Sequence, residues 1–313
     1  MPVVLDPDAA AVYKAFQEAG RPAYETLTAP EAREYYRAAR VVSNPEPPAL
    51  ESSKPIAIPA PHGAIPARIY TPKTLRKSNG LAPCLVFLHG GGWVIGDLDT
   101  HEVACQKLAH EGELIVISVD YRLAPEHRFP AAVDDAVTAT QWVAANAKQL
   151  GIDASRIVVG GDSAGGNLAA VVALTARDSG LKLAGQLLIY PATEFARTHA
   201  SHREPETSVL LTHSVIPWFA AQYLGDADGS DWRASPARAK SFAGLPPAYV
   251  LTAGADPLRD EGDEYAKLLR DAGVAVTYRH FPGQFHGFFT MGKLLNQANV
   301  AVTEISSWLK TLD

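Results

Sequence analysis

Short apolar runs and longer helical segments follow one another from about residue 55 to the end of the chain. Most of the later runs are continuously apolar, which is typical of strands buried on both faces of a parallel sheet. Strands and helices in this order and at this spacing predict a doubly wound α/β sheet. The predicted strands are 55–59, 67–70, 84–88, 114–119, 156–159, 186–190, 248–252 and 274–278, and the predicted helices between and after them are 101–111, 130–149, 164–178, 260–272 and 295–312.

Two segments do not follow this order. In the first fifty residues, helices are predicted over 7–20 and 30–41, and the Pro- and Ser-rich stretch 43–54 indicates a linker. Residues 195–235 are too long for a plain connection between the strands on either side of them, and they carry a helical pattern near 213–224. We interpret this region as an insertion that covers part of the molecule together with the N-terminal segment.

Composition and charge exclude several classes of protein. The 313 residues are 47% hydrophobic and 20% charged, which is enough apolar material for a large core. The 28 Lys and Arg residues against 34 Asp and Glu residues give a net charge of −6 without any basic run, so neither nucleic acid nor an anionic membrane is an expected partner. No window approaches the ~18 apolar residues of a membrane helix, and the N-terminus lacks the apolar segment of a secretory signal. We therefore expect a soluble, cytoplasmic protein, with a homodimer as an open alternative to a monomer.

Metal-binding patterns are weak in this chain. The two cysteines, Cys84 and Cys105, are too few to form a disulfide framework or a metal box, so we expect reduced, buried thiols. His199 and His202 stand three residues apart, but without a supporting cysteine or carboxylate cluster they predict a solvated loop. The acidic stretch 256–264 lacks the spacing of a calcium loop. Neither a metal nor an organic cofactor is expected.

The strongest chemical signal is the sequence Gly-Asp-Ser-Ala-Gly at 161–165, which fits G-x-S-x-G between a predicted strand and a predicted helix. A turn this sharp strains the backbone of Ser163 and exposes its hydroxyl, while Gly161 and Gly165 remove Cβ atoms that would clash with neighbouring backbone. Ser163 then lies at a helix N-terminus, where the N–H of Ala164 points toward developing negative charge. These features predict a serine nucleophile.

A second signal, His-Gly-Gly-Gly-Trp at 89–93, directly follows the predicted strand 84–88. Consecutive glycines allow backbone N–H groups to approach a ligand closely, which suits an oxyanion hole. A phosphate-binding loop would need a following Lys-Ser or Lys-Thr pair, and Trp93-Val94 is not one. We interpret His89 as a residue that braces this loop rather than as a catalytic base.

A serine nucleophile needs a histidine base and a carboxylate that orients it. In hydrolases with this serine motif, the acid and then the histidine follow the serine along the chain. His286 lies in a predicted loop past the last strand, at the sheet edge where open α/β sheets place their sites, whereas His280 belongs to the strand itself. Asp256 comes first after the preceding strand and is the favoured acid, while Asp260 is expected to cap the next helix or to hold Arg259.

Together these motifs resemble the hormone-sensitive-lipase-like branch of the α/β-hydrolase esterases. The matching segments are HGGGW at 89–93, DYRLAPE at 120–126, GDSAGGN at 161–167, DPLRDE at 256–261 and HGF at 286–288. The resemblance implies an α/β-hydrolase fold: an eight-stranded, mostly parallel sheet with flanking helices and a helical cap. The cap would consist of residues 1–50 and of the insertion 195–235 within a catalytic domain at 51–313.

The resemblance also implies roles for individual residues. Ser163 would be the nucleophile, His286 the base and Asp256 its partner. The oxyanion donors would be the backbone N–H groups of Gly91, Gly92 and Ala164. In the family, the segment at 190–194 often reads Tyr-Pro-x-x-Asp, but here it ends in Glu194, whose role stays open.

We therefore predict a carboxylesterase that hydrolyses short-chain acyl esters of small molecules through a serine acyl-enzyme. The substrate pocket is expected to be walled by four aromatic residues: Phe16, Trp93, Trp218 and Phe219. Two alternatives remain. The substrate could be an amide, carbamate or lactone, or the chain could be a small-molecule receptor on the same fold, although such receptors usually lack the serine or the histidine.

Overall fold

The computed structural model describes residues 3–312, in which eight strands form one sheet and eight α-helices surround it. The strands are β1 (Ser52–Ala60), β2 (Gly63–Thr71), β3 (Ala82–Leu88), β4 (Ile115–Val119), β5 (Ile152–Asp162), β6 (Gly185–Ile189), β7 (Ala248–Ala255) and β8 (Val276–Phe285). The helices are α1 (Pro7–Glu18), α2 (Ala29–Ser43), α3 (Glu102–Gly112), α4 (Ala131–Ala145), α5 (Ala164–Ser179), α6 (Val215–Leu224), α7 (Arg259–Asp271) and α8 (Asn296–Leu309).

The sheet is mostly parallel, with the strand order β1-β2-β4-β3-β5-β6-β7-β8. Strands β3 to β8 all run in the same direction, and only β2 is antiparallel to its two neighbours, β1 and β4. This arrangement confirms the predicted fold class. It also brings the carboxyl ends of the six parallel strands to one edge of the sheet.

Two hydrophobic cores lie on opposite faces of the sheet. Side chains alternate between the faces of a strand, so Cys84 and Val86 of β3 belong to one core and Leu85 and Phe87 to the other. Helices α4, α5 and α7 contribute to the first core, and α3 and α8 to the second. Strand β3 is buried along its whole length, which explains why its sequence is continuously apolar.

Strand β8 is longer than its apolar pattern predicts. The sequence pattern ends the strand at residue 278, but pairing with β7 continues to Phe285 across an irregularity near Gly254. A Cβ atom on Gly254 would lie 2.0 Å from the carbonyl oxygen of Pro282, so only glycine allows this close approach. The prediction of a loop before His286 was therefore wrong. Because β8 is an edge strand with exposed positions, its apolar run ends although its backbone pairing does not.

Arg33 connects helix α2 with two loops in the body of the molecule. The helix begins with a capping box between Thr28 and Glu31. Arg33 donates from Nε to the carbonyl of Val94 at 2.8 Å and from Nη2 to the carbonyl of Ala124 at 2.9 Å. Its guanidinium also pairs with both carboxylate oxygens of Glu126. All four of these contacts reach the two loops that follow β3 and β4.

Two expectations from composition can be compared with the structure. Both cysteines are buried and free of disulfide bonds, as predicted. Within residues 3–312, no helix combines the length and apolar character needed to cross a membrane.

Candidate active site

The predicted site residues lie at the carboxyl ends of four parallel strands. The loop 89–93 follows β3, Ser163 follows β5, Asp256 follows β7 and His286 follows β8. Because these strands are parallel, their ends meet at the same sheet edge, where open α/β sheets place their sites. The topology thus collects side chains that are more than 120 residues apart in sequence, such as Ser163 and His286.

Ser163 occupies a strained turn between β5 and α5. Its φ is +55°, a region that residues other than glycine rarely adopt. A Cβ atom on Gly161 would lie 2.3 Å from the carbonyl oxygen of Leu88, and one on Gly165 would lie 1.9 Å from the same oxygen. The two glycines therefore permit the close packing of this turn against the end of β3, as the sequence predicted. The turn places Ser163 at the N-cap position, directly before the first residue of α5.

Ser163, His286 and Asp256 form a continuous row of hydrogen bonds. The Oγ of Ser163 lies 2.8 Å from Nε2 of His286, and Nδ1 of His286 lies 2.7 Å from Oδ2 of Asp256. Asp256 is fully buried, and its Oδ1 accepts the N–H of Leu258 at 2.8 Å. The ring of Tyr190 packs against the imidazole with centroids 4.6 Å apart. The carboxylate can hold the imidazole so that Nε2 faces the serine hydroxyl.

The competing candidates lie elsewhere. Asp260 accepts a hydrogen bond from Nε of Arg259 at 2.7 Å and another from the backbone N–H of Ser201 at 2.9 Å. His280 contacts the hydroxyl of Thr252 at 2.9 Å through Nδ1. Each has partners of its own within residues 3–312, and neither is hydrogen-bonded to the row of Ser163, His286 and Asp256.

The glycine loop lines the same cavity as the serine. Gly91 and Gly92 both have positive φ angles, +128° and +58°. A Cβ atom on Gly92 would lie 2.3 Å from the ring of Phe219, so a larger residue would collide with α6. Within residues 3–312, neither glycine N–H donates a hydrogen bond to another protein group. Together with the N–H of Ala164, which begins α5 and lines the same cavity, they are available to a ligand.

A buried polar cluster holds the base of this loop. Asp162 accepts the N–H of Gly90 at 2.8 Å and lies 3.2 Å from Nε2 of His101. Burial opposes ionisation of Asp162, but the contacts with His101 and Gly90 outweigh it, so the pKa of this carboxyl is lowered. His89 donates from Nδ1 to the carbonyl of Gly90 at 2.9 Å and stacks on Tyr121. Burial, together with the charge of His101, lowers the pKa of His89 to about 4, so its ring is neutral near pH 7. The role of Asp162 and His101 was not predicted, because no local pattern connects them with the loop.

The cavity above Ser163 has a volume of about 630 Å³, which lies within the usual range of small-molecule sites. Its walls include residues from α1, α2 and the insertion 195–235 in addition to the sheet edge. Three of the four predicted aromatic residues line it: Phe16, Trp93 and Phe219. Trp93 stacks on Tyr223 of α6 with ring centroids 4.4 Å apart, which connects the glycine loop with the insertion.

The prediction for Trp218 was wrong. Trp218 is not among the residues that line the cavity, and its ring packs edge to face against Phe219. Neighbouring residues of a helix point about 100° apart, because the helix has 3.6 residues per turn. Phe219 faces Gly92, so Trp218 is turned away from the site and packs against the hydrophobic core.

The region of His199 and His202 also differs from the prediction. The side chain of His202 is only 4% exposed, and its Nε2 lies 2.7 Å from Oε2 of the buried Glu261, so the expectation of a solvated loop was wrong for this histidine. The other oxygen of Glu261 accepts the backbone N–H of Thr193 at 2.5 Å. This network fixes the start of the insertion onto α7. No group of three or more metal-ligating side chains occurs within residues 3–312.

Glu194, where the family pattern often has Asp, pairs with Arg238, which follows the insertion 195–235. Its carboxylate accepts from Nε of Arg238 at 2.8 Å and from the N–H of Ala196 at 2.8 Å. These contacts hold the insertion against the segment that leads into β7. Glu194 makes no hydrogen bond with Ser163 or His286 within residues 3–312.

Comparison with known proteins places this geometry in a family. A family model described as the α/β-hydrolase fold matches residues 85–290. The chain is 45% identical over 263 residues to the carboxylic ester hydrolase LipN of Mycobacterium tuberculosis. This match covers 82% of this chain and 69% of LipN. It is 38% identical over 306 residues to an ethyl acetate hydrolase of Pseudomonas putida, covering 94% of this chain and 95% of that protein.

Solved structures agree over nearly the whole chain. An ester hydrolase from the metagenome of Lake Arreo, solved with a bipyridine phosphonate derivative, has a TM-score of 0.93 at 41% identity and covers 98% of this chain and 99% of that one. The esterase of the archaeon Pyrobaculum calidifontis has a TM-score of 0.87 at 38% identity, with 100% and 99% coverage. The chain therefore belongs to the α/β-hydrolase family, among its carboxylic ester hydrolases.

Proposed function

We propose that this protein is a carboxylesterase in which Ser163 forms an acyl-enzyme with short-chain esters of small alcohols. The observation that carries the proposal is the row of hydrogen bonds from Ser163 through His286 to Asp256, with distances of 2.8 and 2.7 Å. A nucleophile, a base and an orienting carboxylate in this order are the requirements for acyl transfer by serine.

In the proposed reaction, Nε2 of His286 takes the proton of the Ser163 hydroxyl as Oγ attacks the ester carbonyl. The negative charge that develops on the carbonyl oxygen is stabilised by the backbone N–H groups of Gly91, Gly92 and Ala164. Protonated His286 then gives its proton to the leaving alcohol, and Asp256 stabilises the imidazolium in the meantime. In the second half, water loses a proton to His286 as it attacks the acyl-enzyme, and protonated His286 then returns that proton to Oγ of Ser163 as the C–Oγ bond breaks and the acid is released.

Three features support small substrates. The cavity is bounded on several sides, with residues 3–50 and 195–235 contributing to its walls, and we propose that these two segments act as the cap of the site. Its aromatic walls, Phe16, Trp93 and Phe219, favour an apolar acyl or aryl group. The similarity to an ethyl acetate hydrolase, a name that describes a small acyl group on a small alcohol, agrees with this substrate class.

The nucleophile can be tested directly. Ser163→Ala should lower kcat on p-nitrophenyl butyrate by several orders of magnitude, because no acyl-enzyme can form. A fluorophosphonate probe should label the parent at Ser163, as shown by peptide mass spectrometry. Ser307→Ala is a suitable control, since its hydroxyl lies on the exposed side of α8 and its one hydrogen bond within the described residues goes to the carbonyl of Thr303. Labelling of another serine, or full activity of Ser163→Ala, would overturn the assignment.

The purified parent enzyme can also be used to distinguish an esterase from an amidase and from a receptor without catalytic activity. A panel of p-nitrophenyl esters and the matching anilides, assayed with the parent enzyme, separates an esterase from an amidase. A receptor without catalytic activity would bind the esters without releasing p-nitrophenol. We expect release from the esters and at most slow release from the anilides.

A further inference from the structure

The cavity above Ser163 is lined by a cation that has no carboxylate partner among residues 3–312. Three arginines line the cavity: Arg21, Arg40 and Arg197. A guanidinium in a partly apolar cavity is costly unless its donors and its charge are compensated. The surroundings of the three arginines differ in this respect.

Arg21 and Arg40 are compensated. Arg21 is exposed to solvent, and its guanidinium lies over the rings of Phe16 and Tyr35. Arg40 is buried, but it stacks on Tyr36, with 4.4 Å between its guanidinium carbon and the ring centroid, and it donates to the Tyr36 hydroxyl at 2.7 Å. It also bonds to Thr290, and it lies near enough to Asp162 to lower the pKa of that carboxyl.

Arg197 has much weaker compensation. Its only hydrogen bond within residues 3–312 runs from Nη2 to the carbonyl of Ile216 and is 3.3 Å long. No carboxylate oxygen in the described part of the chain lies within ion-pair distance of its guanidinium, which rests over the ring of Phe195 at 5.9 Å. Burial lowers the pKa of Arg197, only partly opposed by the more distant charge of Glu261. The residue also has a φ of +52°, a backbone conformation that is unfavourable for arginine and is often found at functional sites.

The acidic side chains of the cavity all have other partners. Asp162 is held by His101 and the N–H of Gly90, and Asp8 accepts the backbone N–H of Asn296. The two carboxylates of the insertion region are likewise engaged: Glu261 by His202 and the N–H of Thr193, and Glu194 by Arg238 and the N–H of Ala196. Most of the five N–H donors of Arg197 therefore remain for a molecule that enters the cavity.

We propose that Arg197 binds a carboxylate group of the substrate, so that esters with a second, anionic group are a preferred substrate class. This inference rests on the proposed esterase function of Ser163. A planar guanidinium matches a carboxylate through two parallel hydrogen bonds, and its partial desolvation strengthens such a pair. The carboxylate could belong to the acyl part, as in a half-ester of a dicarboxylic acid, or to the alcohol part, as in an acetoxy acid.

The proposal can be tested with pairs of esters that differ only in charge. Monomethyl adipate and the methyl ester of adipamic acid carry a carboxylate or a neutral amide at the same place on the acyl part. 4-Acetoxybenzoate and 4-acetoxybenzamide do the same for the leaving group. The measurement is the ratio of kcat/KM for the anionic ester to that for its neutral partner, in the parent, Arg197→Gln and Arg197→Lys.

In at least one pair, this ratio should fall roughly 10- to 100-fold in Arg197→Gln, the range for a lost hydrogen-bonded charge pair. Arg197→Lys should retain part of the preference, and added salt should lower the ratio in the parent. The pair that responds identifies the part of the substrate that carries the carboxylate. Arg203→Gln is the matched control, because Arg203 lies in the same segment and its side chain donates, in the part of the chain that the structure describes, only to the carbonyl of Thr198.

Two results would overturn the inference and are distinguishable from each other. If the parent hydrolyses the esters but Arg197→Gln leaves the ratios of both pairs unchanged, Arg197 does not bind a substrate carboxylate and the esterase proposal stands. If the parent hydrolyses none of the four esters and no p-nitrophenyl ester, the proposed function fails together with the inference.

Discussion

Asp256 and Asp260 are four residues apart, yet they differ in their contacts. Asp256 is fully buried with one oxygen on Nδ1 of His286, while Asp260 is partly exposed and bonded to Arg259. Only a carboxylate in the first position can hold the imidazole and stabilise its charged form. At the scale of single residues, we therefore expect the proposed reaction to depend on Asp256 and not on Asp260.

Asp256→Asn should lower kcat by about 10⁴, the size of the effect of this replacement in serine proteases, because an amide no longer favours the reactive tautomer. Asp260→Asn should lower kcat by less than about tenfold, since it loses only a partly exposed ion pair. Steady-state kinetics on p-nitrophenyl butyrate, with circular dichroism to verify the fold, decides between them. A larger loss in Asp260→Asn than in Asp256→Asn would move the acid to residue 260.

At the scale of elements, helix α2 and the two loops beneath it act as one unit through Arg33. This side chain is mostly buried, and its donors reach the carbonyls of Val94 and Ala124, next to the glycine loop and within the segment after β4. Removing it would leave two carbonyls and Glu126 without their partners. The neighbouring Arg37 pairs with Asp97 from a position that is 52% exposed.

Arg33→Met should destabilise the protein by about 2–3 kcal/mol, because buried acceptors lose charged donors. It should also lower kcat/KM, since Val94 directly follows Trp93 of the glycine loop. Arg37→Met, which removes a surface pair, should cost less than about 1 kcal/mol. Urea unfolding followed by tryptophan fluorescence measures both free energies, and equal losses in the two variants would contradict the anchoring role of Arg33.

At the scale of the whole molecule, the cavity depends on three separate parts of the chain: the sheet edge, residues 3–50 and the insertion 195–235. A bounded cavity of about 630 Å³ accepts apolar groups until it is full. Each further buried methylene should improve binding by roughly 0.8 kcal/mol up to that point and should reduce the rate beyond it. The dependence of kcat/KM on the length of the acyl chain therefore tests whether the proposed cap closes the pocket.

On p-nitrophenyl esters, kcat/KM should peak at short acyl chains, around butyrate to hexanoate, and fall toward palmitate. A variant that lacks the first 44 residues should lose activity on all of them, because α1 and α2 no longer bound the cavity. The second measurement needs a fold control, for which far-UV circular dichroism and the Tm suffice. A rate that keeps rising to palmitate would contradict a short, closed pocket without affecting the assignment of Ser163.

Asp120 lies in surroundings that disfavour the ionised form of its carboxyl group. Burial, together with the nearby Asp97 and Asp99, raises the pKa of Asp120 to about 6. In the unfolded chain an aspartate has a pKa of about 3.9. Because the folded pKa is the higher one, the stability contribution of protonated Asp120 is fully present below pH ~4 and is lost as pH rises through about 6.

Asp120→Asn should therefore be more stable than the parent at pH 7, by about 1–3 kcal/mol, and the difference should vanish below pH ~4. The pKa of buried His89 is lowered to about 4, so its contribution to stability is lost as pH falls from ~6.5 toward 4. This pH dependence is opposite to that of Asp120, and the comparison of variant with parent at each pH removes it. Urea unfolding at pH 4, 5, 6 and 7 measures the difference. A variant less stable than the parent at pH 7 would show that the Asp120 carboxylate is favourable.

The sequence by itself determined the sheet and the residues of the candidate site, because both follow from local sterics. Continuous apolar runs define buried strands, and the glycines around Ser163 define a turn that few other sequences permit. The ends of parallel strands must meet at one edge, so the motifs after β3, β5, β7 and β8 predicted the residues that the structure brings together. Several strands extend beyond their apolar runs, and the largest difference at a carboxyl end is in β8, an edge strand where solvent exposure removes the apolar signal.

Only the tertiary structure decided what surrounds these groups. The rotation of α6 against the glycine loop places Phe219 in the cavity and turns Trp218 away, although the two are neighbours in sequence. The burial of His202 on Glu261 and the incomplete compensation of Arg197 depend on contacts between segments that no local pattern relates. Side-chain partners across long sequence separations follow from packing and charge compensation in the folded chain, and the sequence pattern carries no record of either.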